Sequence, residues 1–227
     1  KARKINIPVT VIFSDEAALP LQMSKHLQYL KKQKDFLSIT VGQAFGAEKE
    51  AINIVTALQY AMNMHPESIT VISVGPGVVG SNTYYGFSSL AQANWANIVG
   101  ALNGTPVWVP RLSERDERVR HRGISHHTIT PLTELTLVES ILPLPTGMKV
   151  DSLLKNGREK LTRFPHIKIK NISEERLHPY LKVIQDLSPI RITTMGRTIA
   201  DDPLFFLGIL GAVDWYITSE QNSMTEE

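Results

Sequence analysis

Residues 51–80, AINIVTALQYAMNMHPESITVISVGPGVVG, decide the fold class of this chain. Ala51, Ile52, Val55, Leu58, Ala61 and Met62 recur at helical spacing and mark one apolar face. Ser68 to Val74 follows as a β-branched run without polar alternation, the pattern of a strand buried on both faces. That strand empties into a glycine-rich loop, so one α/β unit is written in thirty residues. Upstream, Ile5–Phe13 and Leu37–Val41 predict two more buried strands. Between them a helix over Pro20–Lys34 carries Leu21, Met23, Leu27 and Leu30. Downstream, a helix starts at Ser88 and stops at Gly104, and Thr105–Val109 is a fourth strand. The second half predicts a short helix over Ile129–Glu139, a strand at Ser140–Leu144, a helix over Asp151–Phe164 and a strand at Ile167–Ile172. Next come a helix capped by Ser173 and kinked at Pro179, a last strand at Ile190–Met195, and an apolar helix from Pro203 to about Ile217. The alternation predicts an α/β fold: Rossmann-like, doubly wound, with a mainly parallel sheet and helices on both faces. The reading is one domain over residues 1–227 with a frayed polar tail over 219–227.

Composition bounds the function classes. Apolar residues at 42% and charged residues at 20% are ordinary globular values. Against 22 acidic side chains stand 24 basic ones, too small an excess for a long-range positive field. With no cysteine there is no disulfide, thiolate metal site or cysteine nucleophile, which fits a cytoplasmic compartment. No apolar run approaches the roughly 18 residues of a membrane span. The chain opens at Lys1 and not at a methionine, so an N-terminal portion is expected to precede it. Nothing in the composition names a cofactor, and a homo-oligomer is compatible with it.

Ligands of parallel sheets bind beyond the carboxyl ends of the strands, which directs attention to three loops. The first, Gly75-Pro76-Gly77-Val78-Val79-Gly80, has the spacing of a dinucleotide fingerprint. However, no Asp or Glu lies between Gly80 and Glu114 to hold a ribose, and Pro76 has no N–H to offer. A cradle for an anion, made by Gly75, Gly77 and Gly80, fits better; a tight turn is the structural alternative. The second, Arg111–Thr128, reads RLSERDERVRHRGISHHT and holds five arginines, three acids and three histidines. Arginine forks bind phosphate or carboxylate, and histidines transfer protons near neutral pH or ligate metals. Arg111, Arg122 and Ser125 are candidate ligand-binding residues, with His121 or His126 as acid/base. A helix as far as Arg122 would instead pair Glu114 with Arg118 and Glu117 with His121 across solvent. Adjacent His126 and His127 point apart on regular structure, so a metal shell of His121, His126, His127 and Asp201 needs an irregular loop, which Gly123 allows. The third loop, Gly196–Pro203, offers Arg197 as an anion ligand, Asp201 to orient an imidazole, and Asp202 as cap of the last helix. Gln43 and Glu48, after the second strand, are placed to reach the same crevice. Trp95 and Trp215 lie in apolar helical patterns and read as core.

The strings VISVGPGVVGSNTYYGFSS, ERDERVRHRGISHHTIT and TTMGRTIADDPLFFLGILGA, with AFGAEKEAIN near position 45, resemble in that order the motifs of a bacterial family, domain of unknown function 3866. The likeness runs from about Phe13 to Val213. It implies a preceding N-terminal β-rich segment and supports the choice of loops, while the family brings no activity with it. Ser81-Asn82-Thr83 and Asn94-Trp95 depart from its usual pattern, which implies a changed pocket lip.

Together these residues predict an enzyme acting on an anionic small molecule held by the glycine loop and by Arg111, Arg122 and Arg197. His121 or His126 is its acid/base and Asp201 its orienting carboxylate. The alternatives are a non-catalytic ligand-sensing or scaffold module and a metal-dependent hydrolase. Nucleic acid is a poor fit, because the five arginines come with three acids and without interleaved aromatics.

Overall fold

The structure, a computed structural model, describes residues 7–14, 20–74 and 77–223, without the side chains of 220–223. It is a mixed α/β protein whose contacts gather into two compact units, Lys1–Ala91 and Gln92–Glu227.

Unit 1 is built on a four-stranded parallel sheet in the order β3-β2-β1-β4, with β1 Val9–Ser14, β2 Phe36–Val41, β3 Lys49–Ala51 and β4 Ile69–Val74. The two central strands bury the residues that made them legible, Ile12, Ile39 and Val41. Helix α1 (Lys25–Leu30) joins β1 to β2, and α2 (Ile54–Met64) joins β3 to β4. The expected helix over Pro20–Lys34 is divided. A 3-10 turn covers Leu21–Met23, and Ser24 then caps α1 by accepting from Leu27 N at 3.3 Å. Three-residue β3, unseen in the sequence, displaces the start of α2 to Ile54. There Asn53 and Thr56 form a reciprocal capping box. The buried face of α2 is accordingly Ile54, Ala57, Leu58 and Ala61, while Ile52, Val55 and Met62 are exposed.

Unit 2 has its core between the parallel pair β7 (Ser140–Thr146) and β8 (Ile167–Ser173) and the helices α5 (Met148–Leu161), α6 (Glu174–Leu187) and α7 (Pro203–Ser223). Leu142, Leu144, Leu154, Leu161 and Leu177 are fully enclosed there, each contributing roughly 2 kcal/mol of transfer free energy. Trp95, on α3 (Ala91–Ala101), is buried as expected. Two expected strands shrink to bridges. Thr105–Val109 makes only the parallel bridge Val107 to Ile141, and in Ile190–Met195 only Thr194 bridges, to Arg197. Helix α7 runs on to Ser223, through residues expected to fray, and it buries Asp214 against Arg176 of α6 at 3.0 Å. Among the described residues no helix is long and apolar enough to cross a membrane.

The segment Arg111–Thr128 belongs to unit 2 and is a closed loop, not a helix. Strand β5 (Leu112–Ser113) pairs antiparallel with β6 (Gly123–Ile124), and α4 (His126–Thr130) follows. Ser113 Oγ accepts from the N–H groups of Arg115 and Asp116, and Asp116 Oδ1 accepts from Arg118 N. These side chains take the donors a helix would need, which is why the charge pattern misleads. Gly123 makes the return at φ +67°, and a Cβ there would lie 2.6 Å from the Leu153 carbonyl of α5. We expect Gly123→Ala to destabilise the protein by about 2 kcal/mol or more, from left-handed backbone strain together with the close approach to the Leu153 carbonyl. A urea midpoint equal to wild type would contradict this account of the loop.

Candidate functional site

The loop is held from below by buried carboxylates. Asp202, fully enclosed, accepts from Ser113 Oγ at 2.6 Å, Glu114 N at 3.1 Å and Arg197 Nε at 3.1 Å. Its side chain therefore ties β5 to the start of α7 and does not cap the helix as the sequence predicted. Arg197 also pairs with buried Asp116 at 3.7 Å. Asp116 is chelated by Arg118 through Nε at 3.1 Å and Nη2 at 3.2 Å, and receives Arg111 Nη2 at 3.3 Å. Burial alone would raise the affinity of Asp116 for a proton, but the hydrogen bonds and charge of Arg118 outweigh it. They hold the carboxyl well below the usual carboxylate range.

Above Asp116 stand the histidines. Arg111 Nη1 reaches His127 Nδ1 at 3.2 Å, and His121 Nδ1 meets Ser125 Oγ at 2.7 Å. The rings lie 4.8 Å apart for His121 and His126, 4.7 Å for His121 and His127, and 4.3 Å for His126 and His127. The expectation that adjacent His126 and His127 diverge does not hold. They open the first turn of α4, where Ser125 Oγ accepts from His127 N at 3.1 Å, and both rings converge on His121. One nitrogen from each of the three histidines falls within 4.8 Å of the others.

Burial drives all three imidazoles toward the neutral form. His121 falls to about 4 through burial and then the Arg111 and Arg118 charges. His126 falls to about 4 through burial and then Arg120 and Arg111, and His127 to about 3 through burial and then the other two histidines. Because a guanidinium only donates, His127 Nδ1 must accept from Arg111, and the neutral ring carries its proton on Nε2. His121 Nε2 is buried without a hydrogen-bond partner among the described residues.

Unit 2 thus brings together Arg111, His121, Ser125, His126, His127 and Arg197, with Arg122 donating from Nε to the Asp116 carbonyl at 2.8 Å. Asp201 is not part of the group. It is exposed, and its Oδ2 accepts from Thr198 N at 2.8 Å and Thr198 Oγ1 at 2.7 Å. The expected Glu114–Arg118 pair is absent too, since Glu114 binds Lys149 at 2.9 Å and Arg118 binds Asp116. The carboxylate the sequence reading missed is Asp116, whose signal is the short Ser113-x-x-Asp116 turn. In unit 1, Gly75 and Pro76 lie outside the described residues, as does any site on them. Gly77 faces open space, and Gly80 bridges to Phe87. The Val79 and Ser81 N–H groups are spent on Ser88 Oγ at 3.2 Å and Gly86 O at 2.6 Å, as in a tight turn. Gln43 and Glu48 are exposed residues of the same unit.

Two expectations follow from the electrostatics. The folded histidine values lie below the unfolded value of about 6.5, so the unfolded chain binds protons first. The histidine contribution is then level above pH 7 and falls as pH drops through 6.5 toward 4; below about pH 4 the fall continues, because Asp116 is held ionised in the folded state well below the usual carboxylate range. Urea midpoints from pH 8 to 4 would show this, and a flat profile would refute neutral burial. Asp116→Asn leaves Arg111 and Arg118 without their counter-charge and is expected to cost roughly 3 kcal/mol. Asp201→Asn should move the midpoint far less; equal shifts would mean that Asp116 is not the anchor.

No curated protein and no solved structure matches the chain. A family model described as "Protein of unknown function (DUF3866)" matches residues 1–213, nearly the whole chain. The strings that resembled that family include the very loop that gathers the histidines, and the chain belongs to the DUF3866 family.

Proposed function

We propose that the Arg111–Thr128 loop is an acid/base site for an anionic small molecule and that the protein is an enzyme. The observation that carries this reading is the Arg111–His127 contact at 3.2 Å inside a cluster of three neutral imidazoles. Arg111 fixes His127 as a neutral Nε2–H donor, suited to hydrogen-bonding an oxyanion. His126, half-buried, is the base, while fully buried His121 and Ser125 act as positioning residues. Around the cluster, Arg111, Arg118 and Arg197 outnumber Asp116 and Asp202, and the residual positive charge favours an anion. Asp116 takes over, through Arg111, the orienting role first assigned to Asp201.

The strand order β3-β2-β1-β4 supports a Rossmann-like, doubly wound reading of unit 1. Such sheets take ligands where the order reverses, here between β1 and β4, and the Gly75–Gly80 loop follows β4. The Val79 and Ser81 N–H groups are engaged within the described part of that loop, which favours a tight turn over an anion cradle there. The absence of cysteine fits a cytoplasmic enzyme.

Thermal unfolding with inorganic phosphate, pyrophosphate and small di- and tricarboxylates tests the reading. At least one should stabilise the wild type, by about 2.7 kcal/mol at a hundred times its Kd. The effect should vanish in Arg111→Gln when that variant is compared with and without the anion. No shift with any of these anions, or an equal shift in Arg111→Gln, would overturn it.

A further inference from the structure

We propose that His121, His126 and His127 form a site for a single divalent late-transition-metal ion of the zinc class, with its remaining coordination open to water or to the anionic substrate. The inference rests on this loop being the anion site and revises its acid/base assignment: with an ion bound, His126 and His127 serve as ligands and no longer as base and donor.

Three observations point to the ion. One nitrogen of each histidine lies within 4.8 Å of the others, and no other group of three metal-capable side chains occurs among the described residues. Tetrahedral zinc, with Zn–N bonds of about 2.0–2.1 Å, sets its ligand nitrogens roughly 3.4 Å apart. Rotation of the half-buried His126 and His127 rings would close the difference. Second, Nδ1 of His121 is engaged with Ser125 Oγ at 2.7 Å, so the atom it has left to offer is Nε2. That nitrogen is buried and has no hydrogen-bond partner among the described residues. An interior polar atom left unmatched costs free energy, and ligation resolves it. The arrangement is also the usual support for a ligating imidazole, whose other nitrogen donates to an outer group. Third, the donor set is imidazole alone. Thiolate is ruled out by composition, and Asp116, whose charge acts on His121, is saturated by arginines. Three imidazoles suit zinc, cobalt or nickel, whereas calcium and magnesium require oxygen ligands. Three protein ligands with an open position is the pattern of a catalytic centre, not a structural one.

Arg111 supplies a distinguishing feature. Ligation through Nε2 of His127 moves that ring's proton to Nδ1, which can then no longer accept from Arg111. Metal and guanidinium therefore compete for one imidazole, and metal binding frees Arg111 Nη1 for the anion.

The test is titration of the chelator-stripped full-length chain with Co2+, followed by its visible d–d bands, and displacement by Zn2+. One ion per chain is expected, with affinity at least about tenfold weaker in His126→Gln and in His127→Gln. His126 is only half-buried, so its variant guards against a loss that reflects misfolding of the His121 site. Arg111→Gln should bind Co2+ as tightly as wild type or more tightly, since competitor and repelling charge are gone, even as it loses phosphate binding. Sub-stoichiometric Co2+ binding, or binding unchanged in both histidine variants, overturns the metal site. Phosphate binding by the stripped wild type keeps the anion reading standing in that event. Stoichiometric Co2+ with no response to any anion would instead remove the anion reading and leave the metal site in place.

Discussion

Everything about the histidine loop depends on burying Asp202. A fully enclosed carboxylate is tolerable only with its oxygens satisfied, and Asp202 obtains this from Ser113 Oγ, Glu114 N and Arg197 Nε. Two of those partners lie in the loop that begins at β5, almost ninety residues earlier in the chain. Satisfying one acid therefore pins β5 to the start of α7. From there opposite charges alternate: Arg197 reaches Asp116, and Asp116 reaches Arg111 and Arg118. Arg111 ends the series at His127. The order of a short irregular loop is thus set by electrostatic satisfaction and not by a hydrophobic face.

Such a network is weak evidence for stability, because desolvating five charged groups offsets much of their mutual attraction. Its value is geometric. A single helix through the whole segment would set His121, His126 and His127 roughly 100° or more apart around its axis. Here the loop folds on Gly123, whose φ of +67° and closeness to the Leu153 carbonyl exclude other residues at low cost. Side chains shape the backbone ahead of and between the rings: Ser113 and Asp116 accept N–H groups upstream of His121, and Ser125 accepts from His127 N.

The sequence was most legible where burial is periodic. The three long strands of unit 1 and both strands of the pair β7–β8 stand where β-branched and apolar runs predicted them. It misled where tertiary pairing decides. Strand β3, Lys49–Ala51, is polar and three residues long, and only its register against β2 makes it a strand. Missing it moved the start of α2, and so turned its predicted apolar face by one or two residues. Ile190–Met195 has strand composition but finds no neighbour beyond Arg197. At the site, composition alone singled out Arg111–Thr128, and the structure brings the expected His121, His126 and Arg111 together there. The expected carboxylate is not among them: Asp201 and Asp202 differ by one position, and nothing local says that one is exposed on a threonine turn while the other is enclosed by Ser113. Asp116 was hidden because three acids among five arginines look like a solvated surface until one of them is buried.

Arg111 is the member of this network best placed to change partners. Its contacts, 3.3 Å to Asp116 and 3.2 Å to His127, lie at the long end of the hydrogen-bond range, and both go through terminal nitrogens. Arg118 holds Asp116 with two shorter bonds and Arg197 supports it from the other side, so Asp116 keeps its counter-charge if Arg111 turns away. A buried ion pair broken from one end ordinarily strands a charge. Here the redundancy of three guanidiniums on one carboxylate removes that penalty, and Arg111 is the one that also touches an imidazole. In the anion site we propose, the surplus arginine is the cation that would move toward the ligand without unfolding the loop that positions it.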